Sequence, residues 1–215
     1  MDNNYYNFIR HELLEYIPKN TNKLLEIGAA SGNTLIEIKK NGLAEEVYGL
    51  DIVKIPNSNQ QNNLIKNFII GDIETIKLDF PENYFDVILA GDIFEHLKDP
   101  WSVLKKMTKF LKPGGLIISS IPNIRNYRVL FQIAFNGTFN YQDAGILDKT
   151  HLRFFCKKNI IHFFDKSNYK ITKIDSNLKN LKFKLRLKNI INYMTFGLLK
   201  DFMIVQYFIV AKKND

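Results

Sequence analysis

The chain has 215 residues, 46% apolar and 24% charged, an ordinary globular balance with enough length to bury one sizeable core. Its 30 Lys and Arg outnumber 22 Asp and Glu, and the net charge of +8 admits a polyanionic partner without requiring one. A single cysteine, Cys156, excludes an internal disulfide framework and a cysteine-based zinc site; following an aromatic run, it is expected to be buried.

The start, MDNNYYNFIRHELLEYI, is polar and then amphipathic, without the apolar core of a signal peptide. No uninterrupted apolar run reaches the length of a membrane span, so a soluble, cytoplasmic protein is expected. Residues 5–17 place Phe8, Ile9, Leu13, Leu14 and Ile17 on one helical face. KLLEIG (23–28) reads as a first strand and SGNTLIEIKKNG (31–42) as a helix ending at Gly42. EVYGLD (46–51), NFIIGD (67–72) and YFDVILAG (84–91) follow as strands, the last apolar enough to be buried on both faces. DPWSVLKKMTKFL (99–111) predicts a helix with Asp99 as cap and Pro100 at its first position. KPGG then turns the chain into a fifth strand, LIISSIP (116–122). Periodicity fades over 124–155, where a loop or short helices are expected. KKNIIHFFDKSN (157–168) is a helix, and YKITKID (169–175) and VQYFIVAKK (205–213) complete seven strands. The alternation predicts one α/β domain over 1–215, a doubly wound, mainly parallel sheet with helices on both faces. The insertions 124–155 and 177–201 are expected to form a lid on the substrate side.

Three consecutive strands end in small residues and an acid: Glu26, Asp51 and Asp72. In an open parallel sheet, ligands bind at the carboxyl ends of the strands. The turn GAASG, Gly28 to Gly32, lets a ligand approach the backbone, because Ala29, Ala30 and Ser31 intrude little. An acid at Asp51 can accept both hydroxyls of a ribose. The series points to a nucleoside-like ligand.

With LLEIGAASG, YGLDI, GDIE, FDVILAGDIFEHLKDP and LKPGGLIISSIPN in this order, the chain resembles the class I S-adenosylmethionine-dependent methyltransferases over about residues 20–125. The resemblance implies a Rossmann-like methyltransferase fold, with seven strands and the last antiparallel. It places the methionine part of the cofactor among Glu26, Gly28, Ala29, Ala30, Ser31 and Gly32. The ribose would lie at Asp51 with Ile52 beside it, the adenine at Asp72 and Ile73, and the backbone of Ala90 and Gly91 would border the methionine moiety. Where the family often has a central glycine, Ala30 carries a methyl. S-Adenosylhomocysteine would be the product.

Two further stretches carry titratable groups. In GDIFEHLKDP, Asp92, Glu95 and His96 fall at i, i+3 and i+4, so one helical face would present two carboxylates and an imidazole. A similar run in the ubiquinone-biosynthesis O-methyltransferase branch is linked to metal. No metal is expected here; were one held, Asp92, Glu95 and His96 would be the set. ILDKTHLRFF (146–155) resembles a run in methyltransferases found with glycan or surface-polysaccharide genes. Asp148 orienting His151 would make that imidazole a general base, with His96 as the other candidate, and Asp148 and Arg153 on the substrate side. The basic run 182–188 suits a solvated face, a lid, contact with anionic lipid or a hold on a phosphorylated substrate.

The expected activity is methyl transfer to oxygen of a small molecule or a glycan or sugar-nucleotide precursor. An N- or carboxyl-methyltransferase, or a nucleic-acid modifier using the 182–188 face, stands as the alternative. Nucleic acid is not the expected partner, since no separate RNA-binding module is present; peripheral membrane contact stays open.

Overall fold

The computed structural model describes residues 8–180 and 199–214. Residues 5–7, the basic run 182–188 and most of the 177–201 insertion lie outside them. The short apolar runs form seven strands: β1 (Thr21–Ile27), β2 (Ala44–Asp51), β3 (Asn67–Ile70), β4 (Phe85–Gly91), β5 (Leu111–Pro122), β6 (Tyr169–Ser176) and β7 (Gln206–Lys213). They make one sheet in the order β3-β2-β1-β4-β5-β7-β6. β1 is parallel to both β2 and β4, and β7 is antiparallel to both β5 and β6. The chain winds outward from β1 through β2 to β3, then returns to the other side of β1 at β4. That reversal opens a crevice at the carboxyl ends of β1 and β4.

Both faces of the sheet are buried. Leu25 and Ile88 pack into one apolar cluster with Phe94, Leu104, Met107 and Phe163, while their neighbours Leu24 and Val87 face a second with Leu35, Ile38 and Ile118. This period-two division is why the central strands read as continuous apolar runs. The covering helices are α1 (His11–Leu14), α2 (Asn33–Lys40), α3 (Pro100–Phe110), α4 (Tyr127–Asn136), α5 (Lys157–Asp165) and α6 (Lys200–Met203). Asp99 caps α3 by accepting from Ser102 N at 3.1 Å, with Pro100 in the first position. None of the helices among the described residues is long and apolar enough to cross a membrane.

Three local expectations are revised. The N-terminal helix is a single turn: Tyr16 and Ile17 N–H groups reach back only three residues, to Leu13 and Leu14 carbonyls at 3.2 Å, which tightens the end before Pro18. Leu13 and Ile17 are buried, but Phe8 is exposed. KPGG is not a separate turn, since β5 runs through it with Gly114 at φ 71° and a register shift opposite Phe85 and Val87. Cys156 is half-buried at the start of α5. Within 124–155, expected as a loop or short helices, the first part is the helix α4, capped where Asn126 accepts from Arg128 N at 3.1 Å.

Candidate active site

The turn after β1 is bent by three left-handed residues, Gly28 (φ 70°), Ala30 (φ 46°) and Gly32 (φ 82°). Its backbone is tied to β2, with the N–H groups of Gly28 and Ala29 both donating to Leu50 O at 2.8 and 3.0 Å. Asp51 ends β2 almost fully buried; one carboxylate oxygen accepts from Ala30 N at 2.7 Å and the other from Val53 N at 2.9 Å. Gln60 closes the loop from outside, donating to the carbonyls of Ala30 and Val53. Each carboxylate oxygen of Asp51 thus keeps a second lone pair for a ligand. Ile52, 65% exposed, stands beside it as an uncovered apolar surface. Asp72, after β3, accepts from Glu74 N at 2.8 Å, and Ile73 beside it is buried.

Ala30 occupies a conformation that costs an L-residue roughly 1–2 kcal/mol. Ala30→Gly is therefore expected to raise stability by up to about 1 kcal/mol after the entropy of glycine is subtracted, as read by urea unfolding. A loss of stability would show that the methyl group is part of the packing.

Glu26 is 1% exposed and one of its oxygens has no hydrogen-bond partner among the described residues. Burial pushes its carboxyl up to about 8, although Arg10 and the Thr34 hydroxyl pull the other way. A carboxyl raised in the folded state binds more protons folded than unfolded, so stability falls as pH rises from about 4.5 to about 8. Glu26→Gln is expected to flatten thermal stability over that window, a gradient of at most about 1.4 kcal/mol per pH unit. An unchanged gradient would assign it elsewhere.

Sequence reasoning missed Arg10. It pairs with Asp92, 82 positions away. Its side chain lies over Gly91, where a Cβ would come within 2.4 Å of Arg10 Cδ, and its charge also acts on Glu26. Ala90 is fully buried. No local pattern marks a lone arginine before a short helix; its role comes from the packing of the N-terminal segment over the end of β4.

Asp92, Glu95 and His96 do not share a helical face. Asp92 is left-handed (φ 50°), and Phe94–His96 is one 3-10 turn. Asp92 is turned toward Arg10, Ser120 and Gln206. Glu95 and His96 instead meet His151 from the 124–155 insertion: the two imidazoles are edge to face, with ring centroids 4.7 Å apart. The insertion is fastened there because the Glu95 carbonyl accepts from Leu152 N at 2.7 Å and Arg153 N at 2.9 Å.

Asp148 does not reach the His151 ring. It accepts from the Thr150 hydroxyl at 2.6 Å and Thr150 N at 2.8 Å; against the cost of burial, these bonds hold its carboxyl below the ordinary range. Because the Thr150 hydroxyl spends its proton on Asp148, it accepts from His96 Nδ1 at 3.1 Å. His151 Nδ1 lies 3.0 Å from the Ile146 carbonyl, which only accepts. Both imidazoles are therefore anchored by a proton on Nδ1. Burial, reinforced by His151, holds His96 below the usual histidine range, so it is neutral at pH 7. Both Glu95 oxygens are buried without a hydrogen-bond partner among the described residues, and burial together with Asp92 raises its carboxyl well above the usual range. Arg153 donates to the Lys98 carbonyl and lies over Trp101.

A methyltransferase-domain family profile matches residues 1–174. The ubiquinone biosynthesis O-methyltransferase of Proteus mirabilis is 25% identical over 182 residues, covering 80% of this chain and 72% of that enzyme. A solved S-adenosylmethionine-dependent methyltransferase from Archaeoglobus fulgidus superposes with a TM-score of 0.65 at 22% identity, over 94% of this chain and 91% of that one. The [4+2]-cyclase SpnF shares the fold at a TM-score of 0.64 and 14% identity, over 94% of this chain and 79% of its own, so the fold alone does not fix the reaction. With the family match over most of its length and a seven-stranded sheet of the corresponding order, the chain belongs to the class I S-adenosylmethionine-dependent methyltransferases.

Proposed function

We propose that this methyltransferase methylates a hydroxyl oxygen of a small molecule or glycan precursor. The observation that carries the oxygen assignment is the imidazole pair, His96 and His151, each anchored through Nδ1, which leaves Nε2 as the nitrogen that can take a proton. A hydroxyl must lose its proton as it becomes a nucleophile, whereas a carboxylate needs no base.

The residues around the glycine turn fit the cofactor. Its amino-acid end carries an ammonium and a carboxylate, which suit the unpartnered oxygen of Glu26 and the guanidinium of Arg10. Asp51 offers lone pairs to the ribose hydroxyls, Ile52 offers apolar surface to the adenine, and the Gly28–Gly32 backbone admits close approach. When bound, the cofactor supplies a methyl group on a sulfonium leaving group. The chain's part is to align the acceptor oxygen and exclude water. Transfer of that methyl group to the acceptor oxygen would release the hydroxyl proton, which an imidazole Nε2 of His96 or His151 would take. Asp148 serves this step through Thr150, by fixing the tautomer of His96.

An aromatic flank runs outward from this pair. Phe154 lies 6.4 Å from His151, Phe139 5.7 Å from Phe154, and Tyr141 5.3 Å from Phe139. Such a wall suits the flat face of a ring, sugar or aromatic, and supports the 124–155 insertion as the acceptor's side of the site. The test uses methyl-labelled cofactor with a panel of sugar nucleotides, phenols, amines and carboxylic acids. Label on an ether oxygen, stable to mild alkali, is expected. Label released by alkali as methanol, or carried on nitrogen, overturns the oxygen assignment.

A further inference from the structure

We propose that Gln60 is a positioning residue for cofactor binding: it holds the carbonyls of Ala30 and Val53 so that Asp51 and the glycine turn keep the geometry that receives the ligand. Its role rests on the cofactor placement proposed above and adds a residue outside every run that carries the family resemblance. Gln60 is 8% exposed and sits in a single 3-10 turn, Asn59–Gln61, on the connection from β2 to β3.

Its side-chain amide is committed at both ends. Nε2 donates to Ala30 O at 2.7 Å and to Val53 O at 2.9 Å, while Oε1 accepts from Ile55 N at 2.9 Å. The two carbonyls only accept and the Ile55 N–H only donates, so a flipped amide would satisfy none of the three. Ala30 and Val53 are also the two residues whose N–H groups Asp51 accepts, at 2.7 and 2.9 Å. The same two residues are thus held twice, by Asp51 through their N–H groups and by Gln60 through their carbonyls. Neighbouring Asn59 adds a tie to the turn, its N–H donating to Ser31 O at 2.9 Å.

Ala30 needs such a hold. At φ 46° it stands in the left-handed region, which disfavours an alanine by about tenfold against its ordinary conformations. A glycine enters that region freely. Without Gln60, Ala30 is released toward those ordinary conformations, and its N–H leaves the Asp51 oxygen that it orients. A turn that is binding-competent for only a fraction of the time weakens apparent affinity by that fraction. Gln60 therefore compensates for the methyl group that Ala30 carries at the position where the family often has glycine.

The experiment measures S-adenosylhomocysteine binding by calorimetry, with urea unfolding alongside to confirm a folded chain. It compares the wild type with Gln60→Ala, Gln60→Glu, Ala30→Gly and the double variant Gln60→Ala with Ala30→Gly. Gln60→Ala is expected to weaken binding about tenfold while the chain stays folded. Gln60→Glu keeps the shape and the acceptor oxygen but loses both donors, so it should weaken binding at least as much. In the Ala30→Gly background, removing Gln60 should cost no more than about threefold. A merely structural loss of packing would instead carry over unchanged into the glycine background. Should Gln60→Ala fail to fold, Gln60→Glu with and without Ala30→Gly makes the same comparison. Wild-type affinity in Gln60→Ala or in Gln60→Glu overturns the proposal, and so does a loss of equal size in both backgrounds. No binding to the wild type overturns the cofactor placement itself, and the role of Gln60 with it.

Discussion

Asp51→Ala is expected to weaken S-adenosylmethionine and S-adenosylhomocysteine binding at least about a hundredfold. Two hydrogen bonds from ribose hydroxyls to a buried carboxylate are each worth about 1.5–3 kcal/mol, and a factor of ten needs about 1.4 kcal/mol. The substitution also frees the N–H groups of Ala30 and Val53, which Asp51 holds at 2.7 and 2.9 Å, and so loosens the turn beneath the methionine end. Asp51→Asn separates the two effects. The amide oxygen still accepts from one of these N–H groups, so the loss should be smaller, about tenfold. Calorimetry on both variants reads the difference. Wild-type affinity in Asp51→Ala would remove this carboxylate from the ribose.

His151→Ala should lower kcat by about 10²–10⁴ while cofactor affinity stays unchanged, because the ring's contacts are with Ile146, His96 and Phe154, outside the glycine turn. The pH profile carries an independent signature. His96 is held below the ordinary histidine value by burial and by its neighbour, and a base must be unprotonated to act. The acid limb of kcat/KM should therefore lie below about 6.5, and His151→Ala should move it upward by removing a repelling neighbour. Unchanged turnover in His151→Ala would place the insertion outside the chemistry.

The sheet was legible because its information is local. Apolar runs of strand length ended in acids at Glu26, Asp51 and Asp72, and Asp99 with Pro100 announced α3, all within a few residues of where each feature acts. The parts that escaped are those made by packing. Arg10 meets Asp92 across 82 positions, and His96 meets Thr150 across 54. Helical spacing misplaced Asp92, since a left-handed residue after β4 breaks the face that i, i+3, i+4 assumes. It also assigned Asp148 to His151, when the shorter reach to Thr150 satisfies the carboxylate first. The KPGG stretch read as a turn, yet a strand that pairs on either side of a bulge absorbs it. Position along the chain pointed to the glycine turn; only the fold brought His96 and His151 together.

The measurement that bears most directly on the whole account is a crystal structure with S-adenosylhomocysteine bound. The ribose hydroxyls are expected at about 3 Å from both oxygens of Asp51, with the amino-acid end over Gly28–Gly32 between Glu26 and Arg10. The sulfur should face His96 and His151. A ligand seated away from the β1 and β4 ends, or no binding at about 1 mM, would contradict it.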